Sequence, residues 1–356
     1  MRYIINLIIR IGIIKLFTVF FVLVNIFTFF LYLTDKRRAV RGKRRISENA
    51  LVLFTVTCGG IGAFLGMRFA KHKTRSRKFA FVSAIGVVIA IIPLIHIAHA
   101  LTLDSTVRYV EIDFHSGNLP IELNGYRIAF ITDTHAISEE DMRAVAAELN
   151  KRNLDLLLLG GDFAMGSARY RDTMREVGSM HFLGTLREVA NVKTTDGIYG
   201  VDGNHDDHIL LFSAMEQHGI VPLDNSGVHV REGFYLAGVQ DLWLRNPNIK
   251  DAVSNANADD FVLLVSHNPD VSMLQSTKGI DLILSGHTHR GQITFFGFPM
   301  YLLRGSITRY GTRFAYGFAD SADGVPVYTS SGIGEYYAIP RIFARPEVVI
   351  FTMYSK

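Results

Sequence analysis

Five apolar runs in this chain end in residues able to hold a metal or move a proton. RIAFITDTH ends in Asp133 and His135, LDLLLLGGD in Asp162, and GIYGVDGNHD in Asn204, His205 and Asp206. FVLLVSH ends in His267, and DLILSGHTH in His287 and His289. A lone histidine is more often a satisfied core or surface residue than a ligand, so one such ending means little. Five in succession point to a shared site. Imidazole, carboxylate and one amide, without thiolate, suit Mn, Fe or Zn rather than a structural cysteine zinc site. Too many ligands of this kind are present for one ion. Two divalent ions about 3.5–4 Å apart, sharing one bridging carboxylate, would use them. Such a pair holds a hydroxide and two phosphoryl oxygens, so in-line displacement at phosphorus is the reaction it favours.

The elements that must position these residues are legible around them. Each run has the length and the leucine or β-branched content of a buried strand, and stops at glycine or turn chemistry. Ligands at the ends of parallel strands are expected to converge at one sheet edge. Asp133-x-His135 and His287-x-His289 are expected to put both side chains on one face, because strand side chains repeat every two residues. Ser138 to Asn153 is predicted to be a helix, opened by Ser138 with Asp141 three residues on. His115, His181, His208, His218 and His229 lack the strand-end context and are read as structural or surface residues.

The ordered series Asp133-x-His135, Gly161-Asp162, Gly203-Asn204-His205-Asp206, His267 and Gly286-His287-Thr288-His289 resembles the calcineurin-like metallophosphoesterase superfamily over roughly residues 108–351. The resemblance implies an α/β fold, a four-layer α-β-β-α sandwich of two mixed sheets flanked by helices. It implies Asp162 bridging two metals. Asp133, His135 and His289 would complete one metal; Asn204, His267 and His287 the other. His205 would protonate the leaving oxygen, with Asp206 orienting or tuning it. SHNPD at 266–270, SGHTHRGQI at 285–293, the SGIGEYY run ending at Tyr337, and RPEVVIF resemble a membrane-associated or exported bacterial branch. That branch usually has glycine where this chain has Arg290, a cation beside the centre that either binds substrate phosphate or anionic lipid, or is merely exposed.

Charge divides the 356 residues into two parts. Up to residue 103 there are about 16 Lys/Arg and 2 Asp/Glu, while the remainder is net acidic by about 10. An acidic second part argues against a nucleic-acid surface there, since phosphate backbones demand a basic one. The basic part lies among apolar runs, so membrane lipids are its expected partner. The expected domains are a membrane domain at 1–103 and a phosphoesterase domain at 104–356. Cys58 is the one cysteine, which excludes an intramolecular disulfide framework.

Leu16–Leu33 and Phe79–Leu103 are uncharged and long enough to span a bilayer. Leu51–Met67, LVLFTVTCGGIGAFLGM, is shorter and glycine-rich. It is either a third span or a re-entrant segment. The flanking loops 34–49 and 68–78 are both strongly basic, and short basic loops stay cytoplasmic. Re-entry reconciles the two. It makes the chain a multi-pass membrane protein with everything after residue 103 outside the cytoplasm. DK, RISE, GGIGAFLGM and HKT over roughly 16–100 resemble a family of small bacterial membrane domains of unassigned function, which usually has proline where this chain has Ser47.

The expected function is a membrane-anchored dimetal phosphohydrolase, acting on a phosphorylated small molecule or lipid, with Mn, Fe or Zn as cofactor. Two alternatives stand beside it. One is a cytoplasmic-facing hydrolase of a lipid A precursor pyrophosphate. The other is a metal-binding scaffold without turnover, which would have no use for His205.

Overall fold

The computed structural model describes residues 2–102, 106–135, 137–164, 174–299, 307–335 and 341–356. The side chain of His181 and the tyrosines Tyr336 and Tyr337 lie outside what is described. The chain divides into two compact units, Met1–Thr102 and Leu103–Lys356.

The first unit is helical: α1 (Arg2–Val40), α2 (Glu48–Phe54), α3 (Gly60–Phe69) and α4 (Arg77–Thr102). Among the described residues, Thr18–Val40, Glu48–Phe69 and Arg77–Ile95 are long and apolar enough to cross a membrane by length and composition. The second stretch is not a straight rod. Its helix breaks between α2 and α3, at Thr57 (φ −89°, ψ 60°) and Cys58 (φ 65°, ψ 0°). Contacts with α1 give the direction of each arm. Ile46 N and the Arg45 guanidinium bond the Asp35 carboxylate, Phe54 stacks edge-on against Phe27, and Cys58 O accepts from Asn25 Nδ2. The return arm runs the other way, from Gly62 N on Asn25 Oδ1 to His72 Nε2 on Asp35 Oδ2, 2.7 Å apart. Glu48 at the start of the hairpin bonds Lys73 and Lys78 after its end.

Both ends of this hairpin therefore meet the same end of α1, and its tip reaches Asn25. Ten helical residues separate Asn25 from Asp35, about 15 Å, or half the thickness of a bilayer core. Within a bilayer, a helix broken at that depth would leave backbone groups that lipid cannot satisfy. Asn25 satisfies two of them with one side chain. Close approach makes the hairpin compact: a side chain at Gly60 would run into the backbone of Gly86 on α4. Small residues at helix contacts permit this.

The second unit is a layered α/β domain. Its elements in order are β1 (Arg108–Ser116), β2 (Tyr126–Ile131), α5 (Glu139–Leu149), β3 (Leu156–Leu159), α6 (Met174–Val189), β4 (Ile198–Gly200), α7 (His208–Gln217), β5 (Val221–Pro222), β6 (Ser226–Arg231), β7 (Phe234–Gly238), α8 (Ile249–Ala252), β8 (Phe261–Val265), α9 (Val271–Leu274), β9 (Leu282–Ser285), β10 (Gly317–Asp320), β11 (Pro326–Thr329) and β12 (Glu347–Ser355). They form two six-stranded mixed sheets, ordered β1-β12-β2-β3-β4-β5 and β10-β11-β9-β8-β7-β6. β2 to β5 run parallel in the first sheet, and β7, β8, β9 and β11 in the second.

Strand alternation assigns each residue to a layer. Ile128, Phe130, Leu156 and Leu158 face Leu236, Leu263 and Leu284 of the second sheet, forming the central core. Their neighbours Ala129, Ile131, Leu157 and Leu159 pack outward on Met142, Leu186 and Met215 of α5, α6 and α7. Tyr235, Leu264 and Ile283 cover the far face with Ile249, Ala252 and Val271. Truncating a fully buried leucine such as Leu158 would cost about 2–5 kcal/mol. The predicted helix after the first site strand is α5. Ser138 caps it, accepting from Asp141 N at 3.0 Å and donating to the Asp141 carboxylate. It ends at Leu149, capped by Asn150, four residues short of the expected Asn153.

Candidate metal centre

The five apolar runs are five strands, and their ends meet. β2, β3 and β4 deliver Asp133, His135, Asp162, Asn204, His205 and Asp206; β8 and β9 deliver His267, His287 and His289. The strands do not share one sheet as expected. Three belong to the first sheet and two to the second, so the site joins the same end of both.

Two ligand groups are buried there. Asp133, His135 and His289 bring one ligand atom each within 4.8 Å of one another, and so do Asp162, His267 and His287. Asp162 stands between the groups. Its Oδ2 is 3.6 Å from His135 Nε2 and 3.2 Å from His267 Nε2. Asn204 Oδ1 is buried without a hydrogen-bond partner among the described residues. An orphaned buried carbonyl beside two carboxylate–imidazole groups fits a pair of divalent cations, since such an atom otherwise carries an uncompensated desolvation cost.

Strand alternation is not what pairs the ligands. Asp133, His135, Asp162, His287 and His289 all have positive φ, from 37° to 71°. Each lies beyond its strand, in a left-handed turn that redirects the side chain. Such conformations cost about 1–3 kcal/mol per residue and gather where function requires them. The glycines explain the closeness: a side chain at Gly203 would collide with the Asp162 carboxylate, and one at Gly286 with Asp133.

Backbone carbonyls fix the rings. His267 Nδ1 meets Gly160 O at 2.8 Å and His135 Nδ1 meets Ala164 O at 2.9 Å, which leaves each Nε2 facing the site. His287 does the reverse, with Nε2 on Ile307 O and Nδ1 inward. Carbonyl partners of this kind set the tautomer of a ligating histidine. Burial lowers the pKa of His135 to about 4 and of His287 to about 3, and holds His289 well below its ordinary value. All three are thereby neutral, the form that binds metal. Burial, with some help from Asp162, raises Asp133 to about 6. Burial opposes charge on Asp162 and His267 alike, but their mutual attraction prevails. Asp162 falls well below the carboxylate range and His267 rises well above the imidazole range; a cation bound beside Asp162 would displace the His267 proton, leaving that ring free to ligate.

His205 belongs to neither group. Its backbone N donates to Asp162 Oδ1 at 2.8 Å and its ring stands 5.2 Å from that of His135. It lines a cavity of about 260 Å3 with Asp162, Asn204, Trp243, His287 and Ile293. Asp206 is placed differently from a group that orients an imidazole. Its carboxylate accepts from four backbone amides, those of Asp162, Phe163, Ala164 and Gly203. It ties the β3 loop to the β4 loop. Burial, then Asp162, raises its pKa to about 8.

Arg290 has a φ of 52°, the conformation that glycine adopts freely, and its guanidinium lies 4.2 Å from the Tyr316 ring. The other histidines are held away from the centre: His208 by Asp202, His218 by Ala214 O, His229 by Asp260, and His115 against Tyr354.

Three residues escaped sequence reasoning. Arg341 is fully buried and sends its guanidinium to Gly334 O, Ala344 O and Nδ1 of His289. Asp241, raised to about 6 by burial, accepts from Trp243 N and Leu244 N and so seats Trp243 edge-on over His287. Gly334 N bonds Asp133 O at 2.7 Å, which gives the glycine-rich run its purpose. Only the last had a signal, in the SGIG motif.

Known proteins resemble this chain in sequence. A family profile described as "Calcineurin-like phosphoesterase" matches residues 126–291, and one described as "Protein of unknown function (DUF1294)" matches residues 25–79. An uncharacterized metallophosphoesterase of Helicobacter pylori is 29% identical over 239 residues, covering 63% of this chain and 58% of the relative. A transmembrane protein with a metallophosphoesterase domain from Danio rerio is 28% identical, covering 68% and 56%. An uncharacterized metallophosphoesterase of Campylobacter jejuni is 24% identical over 332 residues, covering 91% and 84%. The chain thus spans less than two thirds of the length of the first two.

Proposed function

We propose that this chain, whose second unit is a calcineurin-like metallophosphoesterase domain, works as a membrane-anchored dimetal phosphohydrolase of phosphoesters or phosphodiesters. The domain makes it a metal-dependent phosphoesterase. The position of Asp162 between two ligand groups carries the finer reading. Asp162 would be shared by two divalent ions, Mn, Fe or Zn. Asp133, His135 and His289 would complete the holding of one, and Asn204, His267 and His287 that of the other. When bound, the two ions supply Lewis-acid stabilisation of charge on phosphoryl oxygens and lower the pKa of a water.

The chain's own residues do the rest. His205, at the cavity wall and outside both ligand groups, donates a proton to the leaving oxygen. The carbonyls of Gly160, Ala164 and Ile307 keep the ligand rings aimed inward. Asp206 holds the loop that carries Asp162. The test is hydrolysis of bis-p-nitrophenyl phosphate by the purified full chain in detergent. Activity should vanish on exhaustive chelation and return with Mn2+; full activity after chelation contradicts the reading.

The hairpin between α1 and α4 supports a sidedness. Because its ends both meet Asp35, the chain crosses the bilayer twice, along α1 and α4. The loops at 34–49 and 68–78, about seven and six Lys/Arg, then share the cytoplasmic face by the positive-inside bias. The phosphoesterase domain lies outside the cytoplasm.

A further inference from the structure

Four residues after His289, a short aromatic turn stands beside the metal centre. Gln292 and Ile293 line the site cavity. Phe295 and Phe298 then exchange backbone hydrogen bonds at 2.9 and 3.0 Å. Phe296 and Gly297, the two residues between them, have φ of 50° and 90°. A two-residue turn with both φ positive calls for Asn-Gly or Asp-Gly. Phenylalanine at the first position is a poor choice for folding, because a bulky residue resists the left-handed region. Its reward is display: Ile293, Phe295, Phe296 and Phe298 are 43–50% exposed. Trp243, across the same cavity, is 45% exposed.

The turn is built rather than loose. Thr294 Oγ1 accepts from Gly297 N at 2.9 Å and donates to Ile342 O, while Thr294 N donates to the same carbonyl. The Arg290 side chain, held over Tyr316, reaches the underside at Gly297. Phe295 packs on Phe296 and Phe296 on Phe343, yet about half of each of Phe295, Phe296 and Phe298 stays exposed, an apolar ridge at a site mouth that suits an apolar phase. The chain carries its own apolar helices, the last separated from β1 by five residues. Phenylalanine, tryptophan and leucine side chains enter the headgroup–acyl boundary of a bilayer, and a nearby arginine suits anionic headgroups.

We propose that the turn Ile293–Phe298 is a bilayer-contacting element that brings the phosphate of a membrane lipid to the metal centre. The substrate class is then a lipid phosphodiester presented from the membrane. This rests on the phosphohydrolase reading above. A free small-molecule phosphate would gain nothing from the ridge.

The test uses the full chain in phosphatidylcholine–phosphatidylglycerol vesicles and the triple variant Phe295→Ser, Phe296→Ser, Phe298→Ser. Two chromogens share one leaving group: a diacylglycerol p-nitrophenyl phosphodiester in the vesicles, and soluble bis-p-nitrophenyl phosphate. The variant should lose about tenfold or more on the lipid and stay within about twofold on the soluble diester, a loss in kcat/KM of the kind remote binding contacts supply. Phe296→Asn, which suits the turn better, should melt no lower than the parent and still lose lipid turnover. Trp243 is the sole tryptophan, so brominated lipid reads the site mouth directly. Quenching is expected in the parent and should weaken in the triple variant. Unchanged lipid turnover in both variants, or an unquenched parent, overturns the proposal. Unquenched Trp243 with concentration-dependent pairing of chains assigns the ridge to a second copy instead. A parent inactive on both chromogens contradicts the phosphohydrolase reading, while quenching still judges the ridge.

Discussion

His205 and the proposed ligands lie within one buried cluster, yet their proposed contributions are separable. A ligand holds an ion at every stage; a proton donor matters only as the leaving oxygen gains charge. His205→Ala should therefore keep both metals and lose about 10²–10⁴ in rate, the usual worth of a general acid. The loss should shrink for p-nitrophenol and other good leaving groups, measured as a series of leaving-group pKa values against kcat. Loss of metal in His205→Ala would make it a ligand. That these residues would meet was legible, because residue type and chain order both carry it. Asp206 shows the limit. Its identity was evident, but four backbone amides claim its carboxylate, and no sequence pattern announces a partner that every residue possesses. Arg341 was hidden for the same reason: its acceptors are Gly334 O and Ala344 O.

At the scale of elements, strands were readable and the turns after them were not. β2, β3, β4, β8 and β9 follow from apolar runs that stop at glycine or at polar turn residues. The left-handed backbone at Asp133, His135, His287 and His289 has no propensity signal, because tertiary contacts impose it against local preference. In the helical unit, glycines and basic flanks marked the hairpin, whereas Asn25 passed as one polar residue in an apolar run. It bonds Cys58 O and Gly62 N at 2.9 Å each. Asn25→Leu strands both groups in apolar surroundings, at about 1–3 kcal/mol each. The variant should unfold at lower temperature in detergent while hydrolysis by the folded fraction is unchanged. An unaltered melting temperature would mean that the tip finds other partners.

At the scale of the whole molecule, charge and hydropathy separate a basic, apolar part from an acidic one; the compact units of the structure are Met1–Thr102 and Leu103–Lys356. If the hairpin returns to its own side, a carboxy-terminal alkaline phosphatase fusion, which works only after export, should be active. A matching green fluorescent protein fusion should be dark. The reverse pattern would put the site in the cytoplasm and favour a lipid-precursor pyrophosphate as substrate. The existence of a shared two-ion centre is decided more directly by counting ions. Metal content of the purified full chain, measured by mass spectrometry beside bis-p-nitrophenyl phosphate hydrolysis, should be two per chain and should fall together with activity in Asp162→Asn. Undiminished hydrolysis by that variant, or a parent that works with no bound metal, would contradict the centre described here.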